Sequence, residues 1–323
     1  MPPLTLGNEK NNSGGDAAKQ RPAGVEFAFA AASGVCAGCF TNPIDVVKIR
    51  LQLQGELAAR GSYQPIYRNT FHAAYLIARH EGILALQSGI APALCFQVFL
   101  NGTRLGSYYF AKNKGFILNE LGETSVWKTA LWSGFAGATG AVVGSPFYMV
   151  KTQLQSQSAK NISVGYQHHY SGAFDAFRQV WREAGFWGLY RGWYANLPKT
   201  FVGSATQITV FGLVTDWLRT LELFQNKPLF LTFVGSLCSG CCLAVVMQPF
   251  DVISTRLYNQ GTDPQGKGIY YSGLFDALYK VFKIEGAWGL YKGIFPTLMR
   301  SAPHVILCQV FYERISQLYD DFH

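Results

Sequence analysis

PIDVVKIRLQLQ at 43–54, PFYMVKTQLQSQ at 146–157 and PFDVISTRLYNQ at 249–260 are one motif met three times, at steps of 103 residues. A fixed period of this length marks a threefold internal repeat, and it decides the fold before any single element does. The same steps carry Gly34 onto Gly137 and Gly240, nine residues ahead of each proline. Further on, Tyr67, Tyr170 and Tyr271 precede the matching segments HEGILALQSG, EAGFWGLYRG and IEGAWGLYKG. This half of the third repeat comes two residues early, which places a small deletion in the loop after the third proline motif.

Composition says what the repeats build. Charged residues make up 14% of the 323 and hydrophobic ones 49%, yet mean hydropathy is only +0.10. A membrane protein with a polar interior combines these values. Each repeat holds two long apolar stretches, 25–53 and 92–112, 127–157 and 195–218, 230–260 and 295–316. About 20 helical residues cross a hydrocarbon core of about 30 Å, so all six are long enough to span. Six spans return the C-terminus to the side of the N-terminus. Between them, segments such as YSGAFDAFRQVWREAG set Phe and Trp against Arg and Glu at helical spacing, as short amphipathic helices at an interface do. The expected architecture is an all-α membrane protein of six transmembrane helices in three pseudo-symmetric repeats. Residues 1–22 form a disordered tail, and 23–120, 121–223 and 224–323 are the repeats of one transport domain. No secretory leader is expected, because the first apolar stretch begins near Val25.

Pro43, Pro146 and Pro249 remove a backbone bond at one depth in three helices and predict three kinks whose ends converge. Gly34 and Gly38, Gly102 and Gly106, and Gly140 and Gly144 are spaced for close helix packing. After each proline come polar residues. Asp45 and Lys48 lie one turn apart, with Gln52 on the same face; the second repeat has Tyr148 and Lys151, the third Asp251 and Ser254. If each acid meets the next repeat's base, Asp45 pairs with Lys151, Asp251 pairs with Lys48, and Tyr148 faces Ser254. The two lost charges are then each other's partners. No ion is left single in a low-dielectric ring, where it would cost several kcal/mol or so.

At these residues the chain resembles the mitochondrial carrier family, whose signature is Pro-x-Asp/Glu-x-x-Lys/Arg in three repeats. The resemblance implies a six-helix monomer of the mitochondrial inner membrane with a central substrate site and alternating opening to the matrix and cytosolic sides. It makes Asp45, Lys48, Lys151 and Asp251 a matrix gate, braced by Gln52 and Gln155 with Tyr258 in the third place. A second, cytosolic network on the even helices maps onto Tyr108, Tyr109 and Lys112; Phe211, Gly212 and Thr215; and Tyr312, Glu313 and Ser316. There the one expected ion pair is Lys112 with Glu313, so the cytosolic side is the weaker gate and the resting protein is expected to open there.

The family's contact positions, thirteen residues before the acidic place of that network, fall on Phe96, Lys199 and Arg300. Two of the three are cations, costly in lipid and without an acidic neighbour one turn away. An Arg fork and a Lys point charge suit a small dianion, with Thr200, Gln97 and Asn101 as neutral donors. FLNGTRLGSYY resembles the oxaloacetate and sulfate carriers, although Arg is more usual than Lys199 in the keto-acid class. The expected cargo is an organic or inorganic dianion such as oxaloacetate, a dicarboxylate or sulfate. A proton or anion leak like that of an uncoupling protein, and a carrier-like scaffold that no longer transports, stay open.

A transporter and not an enzyme is expected. Cys36 with Cys39, and Cys238 with Cys241 and Cys242, sit among apolar residues and glycines and suggest packing before metal binding; no metal or cofactor is expected. His168 and His169 are assigned no chemistry. The net charge of +8 suits anionic lipid, and Gly172 and Gly273 resemble parts of cardiolipin headgroup sites. The basic residues are dispersed, which argues against nucleic acid.

Overall fold

The computed structural model describes residues 23–59, 61–118, 125–221, 228–263 and 266–322. The expectation of a disordered tail over 1–22 lies outside them. Among the described residues ten α-helices follow in order: α1 (Ala23–Leu53), α2 (Thr70–Glu81), α3 (Ile90–Asn113), α4 (Val126–Ser156), α5 (Ala173–Leu189), α6 (Asn196–Arg219), α7 (Pro228–Asn259), α8 (Leu274–Glu285), α9 (Ala287–Leu290) and α10 (Ile294–Phe322). The shortest of the six long ones has 24 residues, about 36 Å of helix. α10 runs six residues beyond the stretch expected from its apolar pattern.

The long helices close into a ring, α1 against α3, α3 against α4, then α6, α7 and α10, which returns to α1. Pro43, Pro146 and Pro249 stand inside α1, α4 and α7. These three odd helices of the repeats also touch one another. At Gly144 a Cβ would come within 2.7 Å of the Phe96 ring, so α3 and α4 approach this closely only because the side chain is missing.

The burial pattern is inverted relative to a water-soluble bundle. Asp45, Gln52, Ser145, Lys151, Gln155, Asp251 and Ser254 are buried, whereas Phe40, Leu131, Phe135, Phe201, Leu237, Val245 and Ile306 are exposed on the long helices. Hydrocarbon outside and a polar axis inside account for both. Among the described residues Ile83–Leu100 and Leu237–Asn259 are apolar and long enough to cross a membrane, at mean hydropathy 1.8 and 1.6.

The short helices gather at one end of the bundle. α2 is capped by Asn69, whose side chain accepts the His72 N–H at 2.8 Å. α5 bends at Gly185, where φ is +62°, a backbone that glycine adopts without strain. The loops entering these helices are held by the last glutamine of each proline motif. Gln54 accepts the Tyr67 N–H and donates to the Tyr67 carbonyl, Gln157 donates to the His168 carbonyl, and Gln260 accepts the Tyr271 N–H. His168 itself lies between the rings of Tyr166 and Tyr170 with Nε2 2.9 Å from the Asn259 carbonyl. Burial pushes its pKa down to about 4, so it stays neutral and acts as a pin in the loop.

Candidate functional site

One helical turn beyond each proline, the axial polar residues meet. Lys151 Nζ lies 2.8 Å from Asp45 Oδ2, and Lys48 Nζ lies 2.6 Å from Asp251 Oδ2. Both pairs join one repeat's acid to the next repeat's base, the order that the cyclic arithmetic requires. Gln52 donates to Asp251 Oδ2 at 2.7 Å and accepts from Thr255 at 2.8 Å, so it braces its ion pair from both ends.

The other two members of the ring differ from expectation. Gln155 turns away from Asp45 and donates to Asn42 at 2.9 Å, and its own Oε1 is buried without a hydrogen bond. Tyr148 does not meet Ser254, because the Ala195 carbonyl at the start of α6 takes the Ser254 hydroxyl at 2.8 Å. The Tyr148 ring instead packs between Phe96 and Tyr258. Tyr258, in the third brace place, bonds Ser145 at 2.9 Å and accepts from Asn196 at 3.1 Å.

Above this ring a cavity of about 280 Å³ is lined by Phe96, Gln97, Lys199, Thr200 and Arg300, together with Asp45, Lys48, Tyr148 and Lys151. Neither Lys199 nor Arg300 has an acid one turn away on its own helix, yet both have one across the bundle. Lys199 Nζ is 2.6 Å from Asp251 Oδ1, and Arg300 Nε is 2.8 Å from Asp45 Oδ1 without the alignment of a hydrogen bond. Each carboxylate therefore bridges two cations, one oxygen to a lysine of the ring and the other to a cation of the cavity wall. The exposures separate these roles: Lys48 and Lys151 are 12% and 11% exposed, Lys199 and Arg300 19% and 30%. Lys199 also sits 5.1 Å above the Tyr148 ring and 3.3 Å from its hydroxyl, a second hold on the charge.

Of the expected neutral donors, Thr200 gives its hydroxyl proton to the Asn196 carbonyl at 3.0 Å of its own helix and so offers a substrate its lone pairs only. Gln97 meets His304 at 3.2 Å, a residue that sequence reasoning passed over. The side chains of Asn101, Tyr108, Tyr109, Lys112 and Phe211 lie outside the described residues, and with them the pair Lys112–Glu313. Glu313 is exposed, and Tyr312 packs edge-on to Phe29.

Two further ion pairs tie the ring to the short helices. Arg50 meets Glu81 of α2 through two parallel bonds of 2.7 Å, and Arg256 meets Glu285 of α8 likewise. Sequence reasoning missed both, although Arg stands at 50 and 256 and Glu at 81 and 285 in the quoted segments.

Six helices in three repeats around a polar axis, with ion pairs linking the repeats in cyclic order, define a membrane carrier. The model of the family described as mitochondrial carrier protein matches residues 19–116, 122–222 and 225–322. The chain is 45% identical to human solute carrier family 25 member 35 over 90% of its length and 96% of that protein's. It is 38% identical to the mitochondrial oxaloacetate transport protein of Saccharomyces cerevisiae, covering 86% of this chain and 84% of that one. The mitochondrial citrate transporter E of Aspergillus niger is also 38% identical, over 86% of this chain and 88% of its own. The chain belongs to the mitochondrial carrier family and is a transporter.

Proposed function

We propose that this carrier moves small dianions, oxaloacetate, a dicarboxylate or sulfate, across the mitochondrial inner membrane by alternating access. The observation that carries the reading is the charge of the central cluster. Lys48, Lys151, Lys199 and Arg300 share two carboxylates, Asp45 and Asp251. Two positive charges remain, on the wall of a cavity sized for a molecule of a few heavy atoms. A dianion neutralises them, and a monoanion leaves one desolvated cation unmatched.

The same geometry couples binding to opening. With the ring closed at the matrix end, an anion arriving from the cytosolic side competes with Asp45 for Arg300 and with Asp251 for Lys199. Drawing off those cations leaves each carboxylate one lysine, so the ring is weakest when the cavity is filled. Phe96, beside Tyr148 and Gly144, sets the cavity's width. The yeast and Aspergillus relatives described above are named for the carboxylates oxaloacetate and citrate, which supports the class. At the matrix surface α5 and α8 begin at Gly172 and Gly273 with no side-chain cap, leaving first-turn N–H groups to an anionic lipid headgroup such as cardiolipin's. A single chain completes the ring, consistent with a monomer.

The test is competition by an anion series against labelled sulfate or oxaloacetate in liposomes holding the purified protein. Dianions should compete about tenfold better than monoanions of equal size. Arg300→Ala should abolish uptake, Arg300→Lys should not restore it fully because an ammonium lacks the bidentate fork, and Lys199→Ala should weaken dianions more than monoanions. Preference for ATP or a cationic amino acid would overturn the reading, and proton conductance without solute exchange would replace it with a leak.

A further inference from the structure

His304 lies on α10 one turn toward the cytosolic end from Arg300, and both its ring nitrogens are engaged. Nδ1 is 3.2 Å from Thr41 Oγ1 on α1. That hydroxyl already gives its one proton to the Ala37 carbonyl at 3.0 Å, so it can only accept, and Nδ1 carries the hydrogen. Nε2 is 3.2 Å from the side-chain nitrogen of Gln97 on α3; an amide nitrogen only donates, so Nε2 is the acceptor and the ring is neutral. Its titratable and charged surroundings are Arg300 and Cys308 on α10, with Cys308 Sγ 3.8 Å from Nε2, Asp45 from α1 and Lys151 from α4; α3 presents the neutral Gln97.

This arrangement has a second state of equal hydrogen bonding. If Nε2 gains a proton, the Gln97 amide needs only to turn over, so that its Oε1 accepts from Nε2–H while the Nδ1 bond to Thr41 is kept. Gln97 lines the cavity, and the turn replaces the carbonyl it shows to the cavity with an N–H donor. The protonated state therefore offers an anion one more positive charge and one more donor, where the neutral state offers an acceptor.

We propose that His304 is a proton site of the carrier, with Gln97 as its relay, so that a dianion enters together with one proton. The inference rests on the dianion reading above. The proton passes from water on the entry side to Nε2, no bond to the anion forms or breaks, and the same proton returns to water on the far side when the anion leaves. Substrate binding raises the proton affinity of His304, and protonation raises the affinity for the anion by the same factor.

The test uses liposomes containing the full chain and a trapped pH dye. With a weakly buffered lumen starting near pH 7.5, labelled sulfate or oxaloacetate uptake should rise about tenfold as the outside falls from about pH 8 to about pH 6, with one proton appearing inside per anion. His304→Gln cannot take up a proton and should give slower uptake that is flat with pH and leaves the dye unchanged. Wild-type uptake that ignores pH, or His304→Gln uptake still accompanied by protons, would overturn the proton site and leave the dianion reading standing. Should no dianion enter at any pH, the dianion reading falls. The site is then read by nuclear magnetic resonance of histidine-labelled protein: a signal absent from His304→Gln that titrates between about pH 5 and 8 supports it, and one that does not move overturns it.

Discussion

Repeats one and three are built on charge where repeat two is built on neutral groups, and the losses come in matched pairs. Asp45 and Asp251 have Tyr148 as their counterpart. Arg50 and Arg256 correspond to Gln153, and Glu81 and Glu285 to Ala184. Where the arginine goes, its glutamate goes too. The contact between repeats survives the exchange. Arg50 Nε donates to the Gln155 carbonyl at 3.3 Å, Arg256 Nε to the Gln52 carbonyl at 3.2 Å, and Gln153 to the Tyr258 carbonyl at 3.1 Å. The threefold backbone join is thus common to all, and the ionic clamp is an addition that two repeats carry. A buried ion is best paired or absent, because one left unpaired costs more than the pair contributes.

The largest effect should come from breaking one clamp by halves. Arg256→Gln alone leaves Glu285 with Lys292 at 2.6 Å as its ionic partner and should cost about 3–5 kcal/mol of stability. Arg256→Gln with Glu285→Ala copies the second repeat and should recover at least half of that loss in a thermal unfolding series of the detergent-solubilised protein. If the double variant proves less stable than either single one, the matched losses have no energetic basis.

The matched losses also explain how much could be read in advance. A constant step of 103 residues sets proline, acid and base at one depth in three helices, so the six-helix ring and the partners of Asp45 and Asp251 follow from counting. The same counting applied to Arg50 and Glu81 would have found the clamps. Partnership across the bundle is another matter. Lys199 and Arg300 have no acid one turn away in the chain, and only the packing of α6 against α7 and α10 against α1 brings them to Asp251 and Asp45. His304 has no counterpart pattern at all, and its meaning depends on which of three helices supplies each hydrogen-bond partner.

A smaller difference separates two glutamines in equivalent places. Gln52 holds a carboxylate and a hydroxyl, while Gln155 holds one amide oxygen and leaves its own Oε1 unbonded. Gln52→Leu should therefore cost about 2 kcal/mol, in the range of hydrogen bonds to charged groups, and Gln155→Leu about half as much. Gln52→Leu should also speed the opening of the ion-pair ring, read as faster exchange at saturating substrate. Equal losses in the two variants would mean that the brace acts through packing and not through Asp251.

The smallest effect lies where the third repeat's clamp meets the first repeat. Beyond the end of α1, the Leu57 N–H donates to Glu285 Oε1 at 2.9 Å, and the neighbouring Glu56 has its Oε1 buried without a hydrogen bond. Burial raises the Glu56 pKa to about 7, against the pull of Arg256 and with repulsion from Glu285. Repeat two has Ala159 at this place and no such group. Because the folded chain keeps a proton that the unfolded chain has released, this contribution is fully present below about pH 4.5 and declines as pH rises toward about 7. Above that the carboxylate is ionised in both states and the loss is complete. Glu56→Gln should remove this part of the slope and make the protein more stable than the wild type by about 1 kcal/mol at pH 8, the full shift being reduced by partial solvent access. Unfolding midpoints of the two proteins at about pH 5 and 8 decide it: converging stabilities at low pH and a gap at high pH support the buried carboxyl, and a gap that is the same at both would assign the effect to shape alone.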